Sequence, residues 1–158
     1  MNERSLLDRP LRLLAIRDHT EFELVRKLSR HGSSAEVQAV LAYLRERGYL
    51  NDQEVGYRRA RYLRTRKLYG NRRIFHELQS LGLDAKMIGL ILEQVEKEAP
   101  ESASLQEAVR ARVATRNLPE NRIDLKKLFD YAIRLGYPPA AVREVLEPYF
   151  ASLNRDED

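Results

Sequence analysis

Residues 75–82 have the sequence FHELQSLG, and related stretches recur as VRKLSRHG at 25–32 and as FDYAIRLG at 129–136. Aligning the three copies puts three glycines in register, Gly32, Gly82 and Gly136, at intervals of 50 and 54 residues. Each glycine is followed, five or six residues on, by four apolar residues at i, i+3, i+4 and i+7, which is the spacing of one helix face. Recurrence at this period predicts a tandem all-α array of three-helix units, not one globular core.

Capping signals divide each repeat into short helices. Thr20 with Glu23, and Ser33 with Glu36, fit the capping box, in which the hydroxyl and the glutamate satisfy free backbone N–H groups reciprocally. Asn51 and Asp84 are expected to cap two further helices. Pro10 suits the first turn of a helix, so we predict that the first helix begins there. The three aligned glycines are predicted to be helix C-caps.

These signals give five segments. We predict an N-terminal lead at 1–9, a first three-helix repeat at 10–50, a basic second repeat at 51–98, a third repeat at 101–150 and an acidic, frayed tail at 151–158. A polar linker over 96–104, interrupted by Pro100, separates the second repeat from the third, and a loop is expected at 118–122. The apolar run at 87–92, MIGLIL, is predicted to be helical because of its flanking caps and its period.

Composition excludes several classes of protein. The chain has 158 residues and no cysteine, which excludes disulfides, cysteine zinc sites and thiol nucleophiles. No apolar run approaches the roughly 20 residues that span a bilayer, and the first residues do not resemble a secretory signal. We therefore predict a cytoplasmic protein that makes no contact with a membrane.

The charge distribution is uneven. Residues 57–73, YRRARYLRTRKLYGNRR, carry eight basic residues and no acidic one, whereas the chain as a whole has a formal net charge of only +4. The rest of the chain therefore sums to −4, and a localised anionic partner is predicted. The candidate binding residues are Arg58, Arg59, Arg61, Arg64, Arg66, Lys67, Arg72 and Arg73, together with Tyr62 and Tyr69.

Two interpretations of this stretch remain open. Repulsion among eight cations destabilises a free helix, which favours an anionic partner; the alternative is a solvated face whose arginines bridge to acids such as Glu36, Glu77 or Glu93. Tyr62 and Tyr69 could stack on bases or could be half-buried contacts between repeats. Ala60 and Leu63, with part of Tyr62, are the predicted buried residues of this helix.

Catalytic chemistry is poorly represented. His19, His31 and His76 lie in separate segments, and their spacing matches no metal-binding helix pattern. No glycine-rich phosphate loop or nucleophile elbow is present. We predict that the protein is not an enzyme and that it has no catalytic residues, metal site or cofactor.

Three motifs resemble those of the bacterial RecX regulatory proteins. The first is Arg17-x-His19-Thr20-x-x-Glu23-Leu24-x-x-Lys27-Leu28. The second is Gly48-Tyr49-Leu50-Asn51-Asp52, followed by the basic helix and by Tyr69-Gly70-x-Arg72-Arg73-Ile74-x-x-Glu77-Leu78. The third, Leu135-Gly136-Tyr137, matches only weakly. Two positions depart from the family pattern. Val55-Gly56 stands where the family prefers an aromatic residue followed by alanine, and Asn71 stands where it prefers proline.

The resemblance implies an elongated, curved array of three repeats that binds the RecA recombinase filament on single-stranded DNA. It implies a monomer that inhibits the recombinase ATPase and strand exchange, with a role in recombination, DNA repair and the SOS response. The basic helix would then contact the filament, and the same helix could contact the single-stranded DNA. The alternative is a stand-alone nucleic-acid-binding protein built from helix-turn-helix-like units, and a weaker one is a scaffold for an acidic protein.

Overall fold

A computed structural model describes residues 3–117 and 119–155 of the chain. These residues form nine α-helices and no strand. The helices are α1 (Glu3–Ile16), α2 (Glu21–Leu28), α3 (Ser34–Glu46), α4 (Asp52–Arg66), α5 (Asn71–Ser80), α6 (Ala85–Glu98), α7 (Glu101–Arg116), α8 (Arg122–Arg134) and α9 (Pro139–Arg155). The predicted all-α fold class is confirmed, including the helical assignment of MIGLIL inside α6. None of the described helices is long and apolar enough to cross a membrane.

The predicted caps are present. At the start of α2, the backbone N–H of Glu23 donates to Thr20 Oγ1 over 3.3 Å, and the N–H of Thr20 donates to Glu23 Oε2 over 2.9 Å. Ser33 and Glu36 make the same reciprocal pair at α3. Asn51 Oδ1 accepts from the N–H of Glu54, 3.1 Å away, at the start of α4. Local sequence therefore determines where these helices begin.

Some helix ends differ from the predictions. Helix α1 begins at Glu3, so Pro10 lies inside it and does not start it. The predicted polar linker at 96–104 is almost entirely helical, because only residues 99 and 100 separate α6 from α7. Within the predicted tail, α9 continues to Arg155; residues 156–158, like Leu118 in the predicted loop, lie outside the described residues.

Two of the three aligned glycines have the left-handed backbone expected of a C-cap. Gly82 has φ +83° and Gly136 has φ +96°, whereas Gly32 does not have a positive φ. Helix α2 ends earlier than predicted, at Leu28, and Ser29 is its C-cap in a right-handed conformation. The three glycines therefore align in sequence, but only Gly82 and Gly136 share the left-handed backbone conformation.

The chain separates into two compact units. The first comprises Met1–Arg59 and Leu78–Ile91, and the second comprises Ala60–Glu77 and Leu92–Asp158. The boundary falls inside α4, α5 and α6, so these three helices contribute residues to both units. The boundaries predicted for the three repeats stay a prediction.

Each unit has its own core. The first unit buries Leu24, Leu28, Leu41 and Leu44 in a cluster built from α1, α2 and α3. In the second unit, the core cluster comes from α7, α8 and α9. Its buried members are Leu105, Ala108, Val109, Leu128, Ala132, Leu135, Tyr137, Val142 and Leu146. Burial of these apolar side chains supplies most of the favourable free energy of folding in each unit.

A backbone-to-backbone junction fixes the turn before α5 inside the second unit. The N–H of Gly70 donates to the carbonyl of Leu135 over 2.8 Å, and the N–H of Arg72 donates to the carbonyl of Gly136 over 3.2 Å. A Cβ at position 70 would lie 2.5 Å from the Gly136 carbonyl oxygen. Glycine is required here because two backbone segments approach closely.

Candidate functional site

Most of the basic stretch lies on α4. The helix begins with Asp52 and Glu54 in its first turn and ends with Arg64 and Arg66 in its last. Acids near the N-terminus and bases near the C-terminus both interact favourably with the helix dipole. Arg58 and Arg59 belong to the first compact unit, and the basic residues from Arg61 onward belong to the second.

Arg58 is paired with acids in the first unit. Its Nη1 lies 2.9 Å from Asp18 Oδ2, and its Nε lies 3.1 Å from Glu54 Oε1, one helical turn earlier. Arg59 is also exposed. Exposed pairs of this kind contribute only about 0–1 kcal/mol each, so they do not commit Arg58 to a structural role.

Arg61 has a carboxylate partner in the second unit. Its Nε lies 3.1 Å from Glu98 Oε2, and both side chains are largely exposed. The sequence left open a second interpretation, in which the arginines of this stretch form ion pairs with acids of the protein. Arg58 and Arg61 both form such pairs. The acids involved, Asp18, Glu54 and Glu98, are not those suggested from the sequence.

Arg64 departs from the expectation, because its side chain is completely buried, with 0% exposure. Nη1 donates to the carbonyl of Ala99 over 3.1 Å and lies 3.5 Å from Glu96 Oε2, and Nη2 donates to Asn71 Oδ1. The backbone N–H of Asn71 in turn donates to Glu101 Oε1 over 2.7 Å. Arg64 therefore joins α4, α5 and the α6–α7 connection, and it does not contribute to the surface.

Helical spacing carried a signal for this burial. Ala60 and Leu63 are buried as predicted, and Arg64 lies on the same stripe at i+4 from Ala60. The buried stripe of α4 therefore includes Arg64, although the sequence pattern predicted that Arg64 is a surface binding residue. Tyr62, predicted to be partly buried, is 45% exposed.

Three cations of the stretch, Arg66, Lys67 and Arg72, are exposed and form what we call the open cations. Among the described side chains, no carboxylate lies within salt-bridge distance of any of them. Arg66 is the last residue of α4, Lys67 follows it directly, and Arg72 is in the first turn of α5. Their positive charge is therefore not compensated by an ion pair with any residue that the structure describes.

Tyr69 and Arg73 contact each other within the second unit. The guanidinium carbon of Arg73 lies 3.9 Å from the centroid of the Tyr69 ring, and Arg73 Nη1 donates to the carbonyl of Arg134 over 3.1 Å. Tyr69 also packs against the core formed by α7, α8 and α9. Both residues thus have structural contacts, which is the alternative role that the sequence left open for Tyr69.

His19 is buried just before the start of α2. Its Nδ1 lies 2.9 Å from the carbonyl oxygen of Arg17, and its Nε2 lies 2.9 Å from Lys27 Nζ. Burial lowers the pKa of His19, and the neighbouring cations Arg17 and Lys27 lower it further, against the opposing hydrogen bond to Arg17. In the part of the chain that the structure describes, no three His, Asp or Glu side chains are grouped to hold a metal ion.

Comparison with known proteins identifies the family. The family model for the first three-helix domain of RecX matches residues 7–44. Regulatory protein RecX of Salmonella paratyphi C (strain RKS4594) is 33% identical over 143 residues, covering 84% of this chain and 84% of the relative. Regulatory protein RecX of Escherichia coli O1:K1 / APEC is 40% identical over 91 residues, covering 49% of this chain and 53% of the relative.

Solved RecX structures share the fold. A crystal structure of regulatory protein RecX superposes with a TM-score of 0.79 at 22% identity, covering 92% of this chain and 73% of the other. RecX from Lactobacillus salivarius superposes with a TM-score of 0.79 at 14% identity, covering 92% and 95% of the two chains. At these identities the superpositions show the fold, and the Salmonella relative shows the family. The chain belongs to the RecX family of regulatory proteins.

Proposed function

We propose that this protein is a negative regulator of the RecA recombinase, which binds RecA filaments on single-stranded DNA and inhibits their ATPase and strand exchange. Membership of the RecX family is the observation that carries the proposal. The protein would act by binding, without catalysing a reaction of its own.

The open cations support an anionic partner. Arg66, Lys67 and Arg72 are exposed at the end of α4 and the start of α5, and no described carboxylate neutralises them. A recombinase filament on DNA offers both phosphates and acidic side chains. Because Arg64 is buried, the proposed binding set from this stretch is narrower than the sequence suggested. In the second unit it consists of the open cations with Arg61 and exposed Tyr62, because Arg73 and Tyr69 contact each other. Arg58 and Arg59, in the first unit, stay candidates.

Titration of the purified protein into the DNA-dependent ATPase of its cognate RecA tests the proposal. We expect the ATPase to fall at stoichiometric or lower ratios of this protein to recombinase, and filaments seen by electron microscopy to shorten or become sparse. An unchanged ATPase together with unchanged filament length would overturn the proposal.

Binding to DNA alone separates the proposal from its alternative. A stand-alone nucleic-acid-binding protein would bind duplex DNA tightly and with sequence preference in the absence of recombinase. A filament regulator is expected to bind bare DNA weakly and without such preference. The salt dependence of binding does not distinguish them, because both would neutralise phosphates with the same cations.

A further inference from the structure

A second group of cations, none of them from residues 57–73, lies in the first compact unit. Helices α1 and α2, with the turn after α2, line a groove of about 630 Å³. Five of its ten lining residues are basic: Arg9, Arg12, Arg26, Lys27 and Arg30. Arg9 and Arg12 are three residues apart and share one face of α1, whereas Arg26 lies in α2 and Arg30 in the turn after it.

Within the described part of the chain, none of these five cations forms an ion pair with an acid. No carboxylate among the described side chains lies within salt-bridge distance of any of them. The one carboxylate in the groove lining, Glu23, is already used by Arg17 at 2.8 Å and by the N–H of Thr20 at 2.9 Å. Burial raises the pKa of Glu23, but the hydrogen bonds from Arg17 and Thr20 outweigh it and keep the pKa below its usual range. By contrast, Arg58 and Arg61 in the basic stretch are paired with acids.

Lys27 is held in place without being neutralised. His19 Nδ1 faces the carbonyl of Arg17, so Nδ1 carries the proton and donates, and Nε2 is left with a lone pair. That lone pair accepts from Lys27 Nζ, 2.9 Å away. A neutral imidazole therefore positions the ammonium group by a hydrogen bond, which leaves the remaining N–H donors of Lys27 available to a ligand.

The groove also has an apolar part. Leu13, Ile16 and Leu28 line it with the cations, and Ile16 is 80% exposed. Small-molecule sites usually have volumes of about 300–1,000 Å³ and combine apolar surface with a few polar groups. Four of the five cations are arginines, whose planar fork matches a phosphate better than a lysine does.

We propose that the groove between α1 and α2 binds a phosphorylated nucleotide, with its phosphates between the arginines of the two helices and its base against Ile16. A free nucleoside polyphosphate and a nucleotide of a single strand offer this same chemistry. The site uses other residues than the open cations and lies in the other compact unit, so it can be tested without the recombinase and apart from the function proposed above.

Charge reversal in the full-length protein tests the groove. The groove variant is Arg12→Glu with Arg26→Glu and Arg30→Glu, and the matched control is Lys86→Glu with Lys97→Glu and Arg116→Glu, three exposed cations outside both surfaces. Binding is followed by anisotropy with two probes, a fluorescent ATP analogue and a fluorescein-labelled oligothymidylate, after far-UV circular dichroism shows that helicity is retained.

We expect the groove variant to lose at least tenfold in affinity for one or both probes, and the control to lose less than threefold. The probe whose affinity falls identifies the source of the phosphate. Equal losses in both variants would mean that only net charge matters, and unchanged affinity in the groove variant would mean that the groove is not the site. Either result overturns the proposal, as would polyglutamate competing as well as tripolyphosphate of the same charge.

A tryptophan reporter tests the groove without removing a charge. The chain has no tryptophan, so Ile16→Trp gives a protein with one indole in the groove, and Tyr49→Trp places one at another exposed site of the same unit. ATP or oligothymidylate should quench and shift the emission of Trp in the first variant at concentrations that leave the second unchanged. No change at position 16 under saturating ligand, or equal changes at both positions, would contradict the proposed placement of the base.

Discussion

Tyr137 Oη donates a hydrogen bond of 2.7 Å to the backbone carbonyl of Leu68, 69 residues earlier in the chain. Leu68 has φ +55°, a left-handed conformation that is uncommon for a residue with a side chain, and it follows the end of α4. Tyr137 is fully buried, and burial raises the pKa of its hydroxyl, which therefore stays protonated and able to donate. The unusual turn at Leu68 is thus stabilised by the third predicted repeat.

Tyr137→Phe tests this contact. The variant keeps the ring in the core but leaves the Leu68 carbonyl without its buried donor, so we expect a loss of about 1–2 kcal/mol in the free energy of unfolding. Urea denaturation followed by circular dichroism measures it. Tyr49→Phe, at an exposed site, is the control and should change stability by less than about 0.5 kcal/mol. Equal stabilities of the two variants would show that the hydrogen bond contributes nothing.

The parts of the fold that depend on local chemistry could be predicted from the sequence. Thr20 with Glu23 and Ser33 with Glu36 cap helices where expected, because the capping partners are three residues apart. Pro10 was misleading because the preference of proline for the first helical turn is only statistical. In the folded chain Pro10 is buried in the interior of α1.

The candidate site was less predictable because it depends on distant partners. Arg64 is buried since Ala99 and Asn71 supply acceptors for it, and no local pattern shows that those acceptors will be there. Helical spacing places Arg64, and not Arg66, on the stripe of Ala60, but only the folded chain shows the acceptors that allow an arginine to be buried there. The groove between α1 and α2 was not predicted, because a concave surface depends on how two helices pack, which no local pattern shows.

Arg64→Ala should be strongly destabilising. The substitution removes a buried side chain and leaves the Ala99 carbonyl and the Asn71 amide without their donor, so we expect a loss of about 2–4 kcal/mol. Arg66→Ala, two residues later on the exposed side of the same helix, should lose less than about 0.5 kcal/mol. Urea denaturation of both variants makes the comparison, and a similar small loss in both would contradict the structural role of Arg64.

Two Gly→Ala substitutions should have opposite effects on stability. At Gly70 the new Cβ would lie 2.5 Å from the Gly136 carbonyl oxygen, a backbone atom that cannot move away cheaply, so Gly70→Ala should destabilise the protein by more than about 1 kcal/mol. At Gly89, inside α6, a Cβ meets nothing within 4 Å, and Gly89→Ala should stabilise it by about 0.5–1 kcal/mol. Thermal unfolding midpoints test both signs, and a stable Gly70→Ala protein would contradict the close approach of the two backbones.

The buried histidine should make stability depend on pH. The pKa of His19 is lowered in the folded protein, so as pH falls below the ordinary value of 6.5 the unfolded chain takes up a proton that the folded state resists. Stability is therefore fully present above about pH 6.5 and falls, by at most about 1.4 kcal/mol per pH unit from this group, until the folded pKa is passed. Urea midpoints between pH 7.5 and 5.5 should show the fall. His19→Gln should reduce it, whereas His76→Gln, at an exposed site, should not; equal slopes for the two variants would contradict the assignment to His19.

Reversing the open cations should weaken inhibition of the recombinase without unfolding the protein. Arg66→Glu with Lys67→Glu and Arg72→Glu removes charges that have no carboxylate partner among the described residues, so no internal ion pair is broken and helicity should be unchanged. We expect at least a tenfold higher concentration of the variant for half-inhibition of the DNA-dependent ATPase. If these residues bind phosphates of the single strand, the slope of log K against log salt should also become less steep, by about 0.7 for each phosphate that the variant no longer neutralises. The Lys86, Lys97 and Arg116 reversal carries the same change in net charge and should inhibit like the unaltered protein. Equal weakening by both triple variants would show that the total charge of the protein, and not the position of the open cations, governs binding to the filament.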